Sequence, residues 1–188
     1  MSTIVIWSQV VFSLILAVSY AANLYLLYVI HFRTTSLRSS MRLSITISAC
    51  YYIAQSTVDA NVLCMDVVQE GAVVVVMLGP AQYYGQTISA ALCMIYFYLT
   101  ESSFAVIAAN FLLQYTTVCR QRDSIRNVLV VWFIVFILSI PYIADLYLIL
   151  PTPEIRPTMD RIGRDFFDVP YSDNFVFYGS ITYSTPAN

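Results

Sequence analysis

The sequence predicts an all-α integral membrane protein with four transmembrane helices resembling the first four of a seven-helix receptor bundle, and three observations carry that prediction. Of the 188 residues, 59% are apolar and only 11% charged, with mean hydropathy +0.72, whereas soluble domains carry roughly 25% charged residues. Four stretches, residues 4–30, 43–65, 88–113 and 128–150, are apolar over the length of about 20 residues that a bilayer-crossing helix needs. Arginine is distributed unevenly between the connections, which gives the four spans a common orientation.

The first span opens Met1-Ser2-Thr3 and then stays apolar to residue 30. A cleaved leader has a basic start and a core of about 7–15 residues, so this segment reads as an anchor. It leads into a loop with Arg33, Arg38 and Arg42. The second span, residues 43–65, is followed by Asp66 and Glu70 and by the run Gly71–Leu78 with its four valines. That run is too short to cross a bilayer and meets Gly79-Pro80 at once, so an outer loop packed on the helix ends is expected. The third span, residues 88–113, leads to Arg120, Arg122 and Arg126 with Asp123, and the fourth covers residues 128–150. Six arginines against one acid place the two Arg-bearing connections in the cytoplasm. The acidic connection and the tail, with Glu154, Asp160, Asp165, Asp168 and Asp173, then face outward together with the N-terminus. The tail, residues 151–188, contains five prolines and no span-length apolar run, and is expected as irregular extracellular structure separate from the transmembrane region of residues 1–150.

Composition also narrows function. Net charge is −2, with nine Arg, no Lys and no basic run, which leaves no electrostatic footprint for nucleic acid. Cys50, Cys64, Cys93 and Cys119 form no CxxC pair and His31 stands alone, so neither a disulfide scaffold nor a metal site is expected. No nucleophile with its base and no phosphate loop occurs, and the chain is expected to be no enzyme and to carry no cofactor.

Acids inside spans are costly and direct attention to function. They are Asp59, Glu101 and Asp145. In the second span Ser48, Tyr52, Gln55 and Asp59 recur at helical spacing and share one face, which should look into a bundle. Glu101 shares its face with Phe97, Ala105 and Ala108, small residues that let a neighbouring helix approach. Asp145 follows Pro141 by one turn, where a kink opens space. Two readings stand: these acids sit in helix-packing contacts, or Asp59, Tyr142 and Asp145 line a ligand cavity in the outer half of the bundle with Glu101 at its floor.

The stretch from Asn23-Leu24-Tyr25-Leu26-Leu27-Tyr28-Val29-Ile30 through Thr35-Ser36-Leu37-Arg38-Ser39 resembles the first span and inner loop of nematode serpentine chemoreceptors, class D. The run Leu78-Gly79-Pro80-Ala81-Gln82-Tyr83-Tyr84-Gly85 is similar to the family's Gly-Pro-x-x-Tyr/Phe-x-Gly approach to the third span. The end of that span, Asn110-Phe111-Leu112-Leu113-Gln114-Tyr115, is similar to its Phe-x-Tyr-Arg-Tyr exit. The resemblance, over residues 20 to 150, implies a seven-helix G-protein-coupled receptor for odorants or other chemical cues, in a plasma membrane such as that of a sensory cilium, with the N-terminus outside. Its implied partners are a small-molecule cue, the lipid bilayer, and a heterotrimeric G protein or another receptor chain. In the exit motif Phe111, Gln114 and Tyr115 occupy the signalling positions, with Gln114 where the family has Arg. The family is about twice as long, so a truncated or partial receptor is expected, with the tail resembling the second outer loop. The alternative is a four-span assembly partner or channel subunit without receptor activity.

Overall fold

A computed structural model describes residues 3–34, 36–69, 72–119, 124–141, 161 and 177–181. Helix α1 spans Thr3–Tyr28 and runs on through a wider π-helical turn, Val29–Arg33; α2 spans Ser39–Val62, α3 Gln86–Val118 and α4 Ile125–Leu138. At about 1.5 Å rise per residue the first three each exceed the roughly 30 Å of a hydrocarbon core. By length and composition Gln9–Arg33 and Thr87–Val118 suffice to cross a membrane, and Ile125–Leu138 is a shorter apolar helix. α2 is less apolar because it carries a polar stripe, and its most buried polar residues, Ser40, Ser44, Ser48 and Ser56, follow helical spacing.

The segment after α2, expected as an outer loop, carries regular structure: Cys64–Gln69 (β1) and Ala72–Met77 (β2) pair antiparallel with Gln69 opposite Ala72. Two intervening residues suit a tight connection, and the β-branched run Val73-Val74-Val75-Val76 suits a central strand. The expected irregular tail is corrected where Phe177–Ile181 (β3) pairs antiparallel with β2, giving the order β1-β2-β3. An open sheet leaves strand-edge donors and acceptors that hydrocarbon cannot satisfy, so this sheet belongs to water. The rest of the expected tail lies outside the described residues, apart from residue 161.

The chain divides into two compact units, one of Met1–Leu14, Val58–Ile95 and Ala144–Asn188, the other of Ile15–Thr57 and Tyr96–Ile143. The second unit holds a core of Tyr51, Val106, Ala109, Leu113, Val128, Trp132 and Val135. Polar pairs stitch its helices together. Ser44 and Ser48 both donate to Asn110 Oδ1, at 3.1 and 2.8 Å, and Ser19 and Ser56 share a 2.8 Å bond. The Tyr51 hydroxyl reaches the Leu99 carbonyl and Ser102, and Tyr98 donates to the Phe136 carbonyl at 3.0 Å. Arg38 donates to the Thr117 carbonyl at 2.8 Å, where a cation complements the negative end of α3. Ser124 caps α4, accepting from the Asn127 amide.

In the first unit, α2 ends because Leu63 adopts the left-handed region at φ 44°. The amides of Leu78 and Gly79 then donate to the carbonyls of Leu63 and Val62, each at 3.0 Å, satisfying groups that a helix end leaves open. Gly79 lies so close that a Cβ there would stand 2.1 Å from the Asn61 carbonyl oxygen. Pro80 starts a 3-10 turn, Pro80–Tyr83, Tyr84 donates to Asn61 Oδ1 at 3.3 Å, and Gly85 at φ 87° turns the chain into α3.

Candidate functional site

The Gly-Pro turn forms one wall of a cavity of about 410 Å³ inside the first unit, where Leu63, Leu78, Gly79 and Pro80 meet Ala60, Tyr83 and the side chains of Gln9 and Ser13 on α1. Volumes above about 300 Å³ suit small organic ligands. Its walls are fixed from several sides: Gln9 Nε2 donates to the Leu78 carbonyl at 3.2 Å, Leu63, Leu78 and Gly79 are buried, and the α2 end is sealed by the bonds above. Ser13 Oγ donates back to the Gln9 carbonyl at 2.7 Å. Among the described residues no acid, arginine or histidine lines the cavity. A second, apolar groove of about 340 Å³ runs along α1 over Ile6, Val10 and Leu14 and shares Gln9 and Ser13 with the first.

The sequence-derived candidates take different places. Asp59 is half-buried on α2 and is not part of the cavity's described lining. Its Oδ1 is buried without a hydrogen-bond partner among the described residues. Glu101 is exposed on α3 in the second unit, one turn before Ala105; Ala105, Ala108 and Leu112 line an apolar groove of about 300 Å³ with Val131 and Ile134 of α4. Tyr142 and Asp145 lie outside the described residues. Of the signalling positions, Phe111, Gln114 and Tyr115 are exposed on the last turns of α3, while Leu113 between them is buried in the core. Close to that end, Arg38 and Thr117 line a pocket of about 300 Å³ with Ser36, Leu37, Met41 and Val118. Among the described residues no cluster of His, Cys, Asp and Glu could hold a metal ion, and the four cysteines are free thiols.

Sequence reasoning missed Gln9, Ser13 and Tyr83 as a group. A signal existed, because Gln9 and Ser13 lie one turn apart as polar residues near the start of an otherwise apolar span. What places them against Gly79 and Tyr83, some seventy residues away, is tertiary structure.

Two of the helices, over Gln9–Arg33 and Thr87–Val118, are long and apolar enough to cross a bilayer. A family model described as serpentine type 7TM GPCR chemoreceptor Srd matches residues 8–188, and the chain belongs to that family. It is therefore a membrane receptor of the G-protein-coupled chemoreceptor class and not an enzyme. No curated protein and no solved structure matches the chain.

Proposed function

We propose that this receptor takes up a small-molecule chemical cue at the end carrying the sheet, that this end and the N-terminus face the outside of the plasma membrane, and that the Arg-rich end faces a cytoplasmic G protein. The observation that carries the reading is the 410 Å³ cavity with its rigid wall at the Gly79-Pro80 turn. Two independent arguments support its orientation. A sheet with open edges among the described residues belongs in water, and Arg33, Arg38, Arg42, Arg120, Arg122 and Arg126 fall in the sequence around the connections between spans one and two and between spans three and four, which the positive-inside rule makes cytoplasmic.

In this reading Asp59, outside the described lining, does not touch the cue, and Asp59→Asn weakens the response less than a change at Gln9. Tyr142 and Asp145 are carried as cue contacts from the fourth span on the sequence argument, and Glu101 as a polar mark on α3. Coupling runs through Phe111, Gln114 and Tyr115, whose side chains stand free of the core. A neutral amide at 114 cannot make the charge-assisted contacts of the Arg that the family pattern has there, so coupling is weak.

The test is expression of the chain in cells with a promiscuous G protein and a calcium reporter, screened against volatile and water-soluble cues beside the Gln114→Arg variant. The reading expects cue-dependent signals with a higher maximum in the Arg variant. Silence of both proteins at the cell surface across the whole panel contradicts it.

A further inference from the structure

Resting on the receptor reading above, we propose that the cavity is a site for a neutral aliphatic alcohol, its hydroxyl held between Gln9 and Tyr83 and its hydrocarbon chain lying along Ile6, Val10 and Leu14. The described lining carries no charge. Against these residues an ammonium or carboxylate would lose its hydration and gain no counter-ion.

The hydrogen-bond inventory then selects the polar group. One Gln9 Nε2 hydrogen is engaged by the Leu78 carbonyl, which leaves Oε1 as an acceptor and the second Nε2 hydrogen as a donor. Ser13 has given its proton to the Gln9 carbonyl and keeps only acceptor capacity. Tyr83 supplies an exposed phenolic hydroxyl able to donate. A ligand hydroxyl donates to Gln9 Oε1 and accepts from Tyr83, satisfying both. A ketone or ester can accept from Tyr83 or from the second Gln9 Nε2 hydrogen but has no proton to give the Gln9 oxygen, which keeps an unmet polar group.

Shape supplies the rest. Taking ~30 Å³ for a water-sized group, 410 Å³ holds about a dozen heavy atoms. The apolar groove continues from the shared Gln9 and Ser13 along exposed Ile6, Val10 and Leu14. The polar pair therefore sits at the junction of a cavity and an apolar track on a membrane-spanning helix, the arrangement an amphiphile with a short polar head and a flexible tail fits.

The experiment uses the full chain in vesicles of phosphatidylcholine, whose headgroup offers no competing hydroxyl, and a straight-chain alcohol bearing a mid-chain diazirine as photoprobe. After irradiation, labelled peptides are mapped with and without excess 1-nonanol, 2-nonanone, nonanoate or nonylamine. Saturable label is expected on residues 6–14 and 78–83, displaced by nonanol at concentrations about tenfold below those of the other three competitors. Tyr83→Phe, a conservative change at an exposed position, and Gln9→Leu should each weaken saturable labelling about fivefold, while Leu112→Ala on α3 leaves it unchanged. Equal competition by the amine or carboxylate, or no saturable label, overturns the site. Saturable label confined to other segments overturns it too and leaves the receptor reading standing, because the signalling screen succeeds or fails independently of where the probe binds.

Discussion

Gly79 shows how much one residue decides. A methyl group there would meet the Asn61 carbonyl oxygen at 2.1 Å and the Val62 carbonyl carbon at 2.8 Å, both backbone atoms that cannot rotate away. Gly79→Ala should therefore push the turn off the α2 end, cost about 1–3 kcal/mol and abolish saturable cue binding, as read by unfolding in detergent micelles and by ligand titration. Asn110 is the counterpart in the second unit, its single oxygen accepting from both Ser44 and Ser48. A double-mutant cycle of Ser48→Ala with Asn110→Leu should give a coupling of about 0.6–1.7 kcal/mol, the range for hydrogen bonds between helices in membranes. A coupling of zero would show the pair to be incidental. That Gly79-Pro80 marks a turn was legible in the dipeptide itself. That glycine is obligatory there was not, since the obstructing atoms come from residues 61 and 62.

At the scale of elements, the two helices apolar over the length of a span, Gln9–Arg33 and Thr87–Val118, were legible because that signal is local. The expected third span, residues 88–113, and the observed α3, Gln86–Val118, differ mainly at the far end, where Thr116 and Thr117 continue the helix. Arg38 explains the extension, since it crosses from the first Arg-bearing connection to hold the Thr117 carbonyl. Arg38→Ala should fray that turn and raise amide exchange over residues 115–118, whereas Arg38→Lys should restore part of the protection. The sheet was not legible, because a run of four valines reads equally as a hydrophobic loop or a strand until its partner is known. Its pairing residues lie on β1 and, about a hundred residues on, on β3. As the central strand, β2 uses both edges, so Val74→Pro should remove protection from β1 and β3 together. Loss in only one neighbour would contradict the order β1-β2-β3.

For the whole molecule, the acids singled out in the sequence and the cavity are different sets of residues: Asp59 and Glu101 are not among its described lining, which is neutral and comes from α1, the α2 end and the Gly-Pro turn. Acids stand out in an apolar span, whereas an amide and a serine one turn apart do not, and that difference in contrast explains the miss. The account's central claim is that the cavity end of this chemoreceptor faces outside and the Arg-rich end faces the cytoplasm. Thiol labelling tests it most directly, because Cys119 is exposed just beyond α3 and Tyr83 is exposed beside the cavity. In a Cys50→Ser, Cys64→Ser background, intact cells should let a membrane-impermeant maleimide label Tyr83→Cys, while Cys119 reacts only after permeabilisation. Labelling of Cys119 in intact cells, with Tyr83→Cys protected until the membrane is opened, would contradict the orientation and with it the proposed route from cue to G protein.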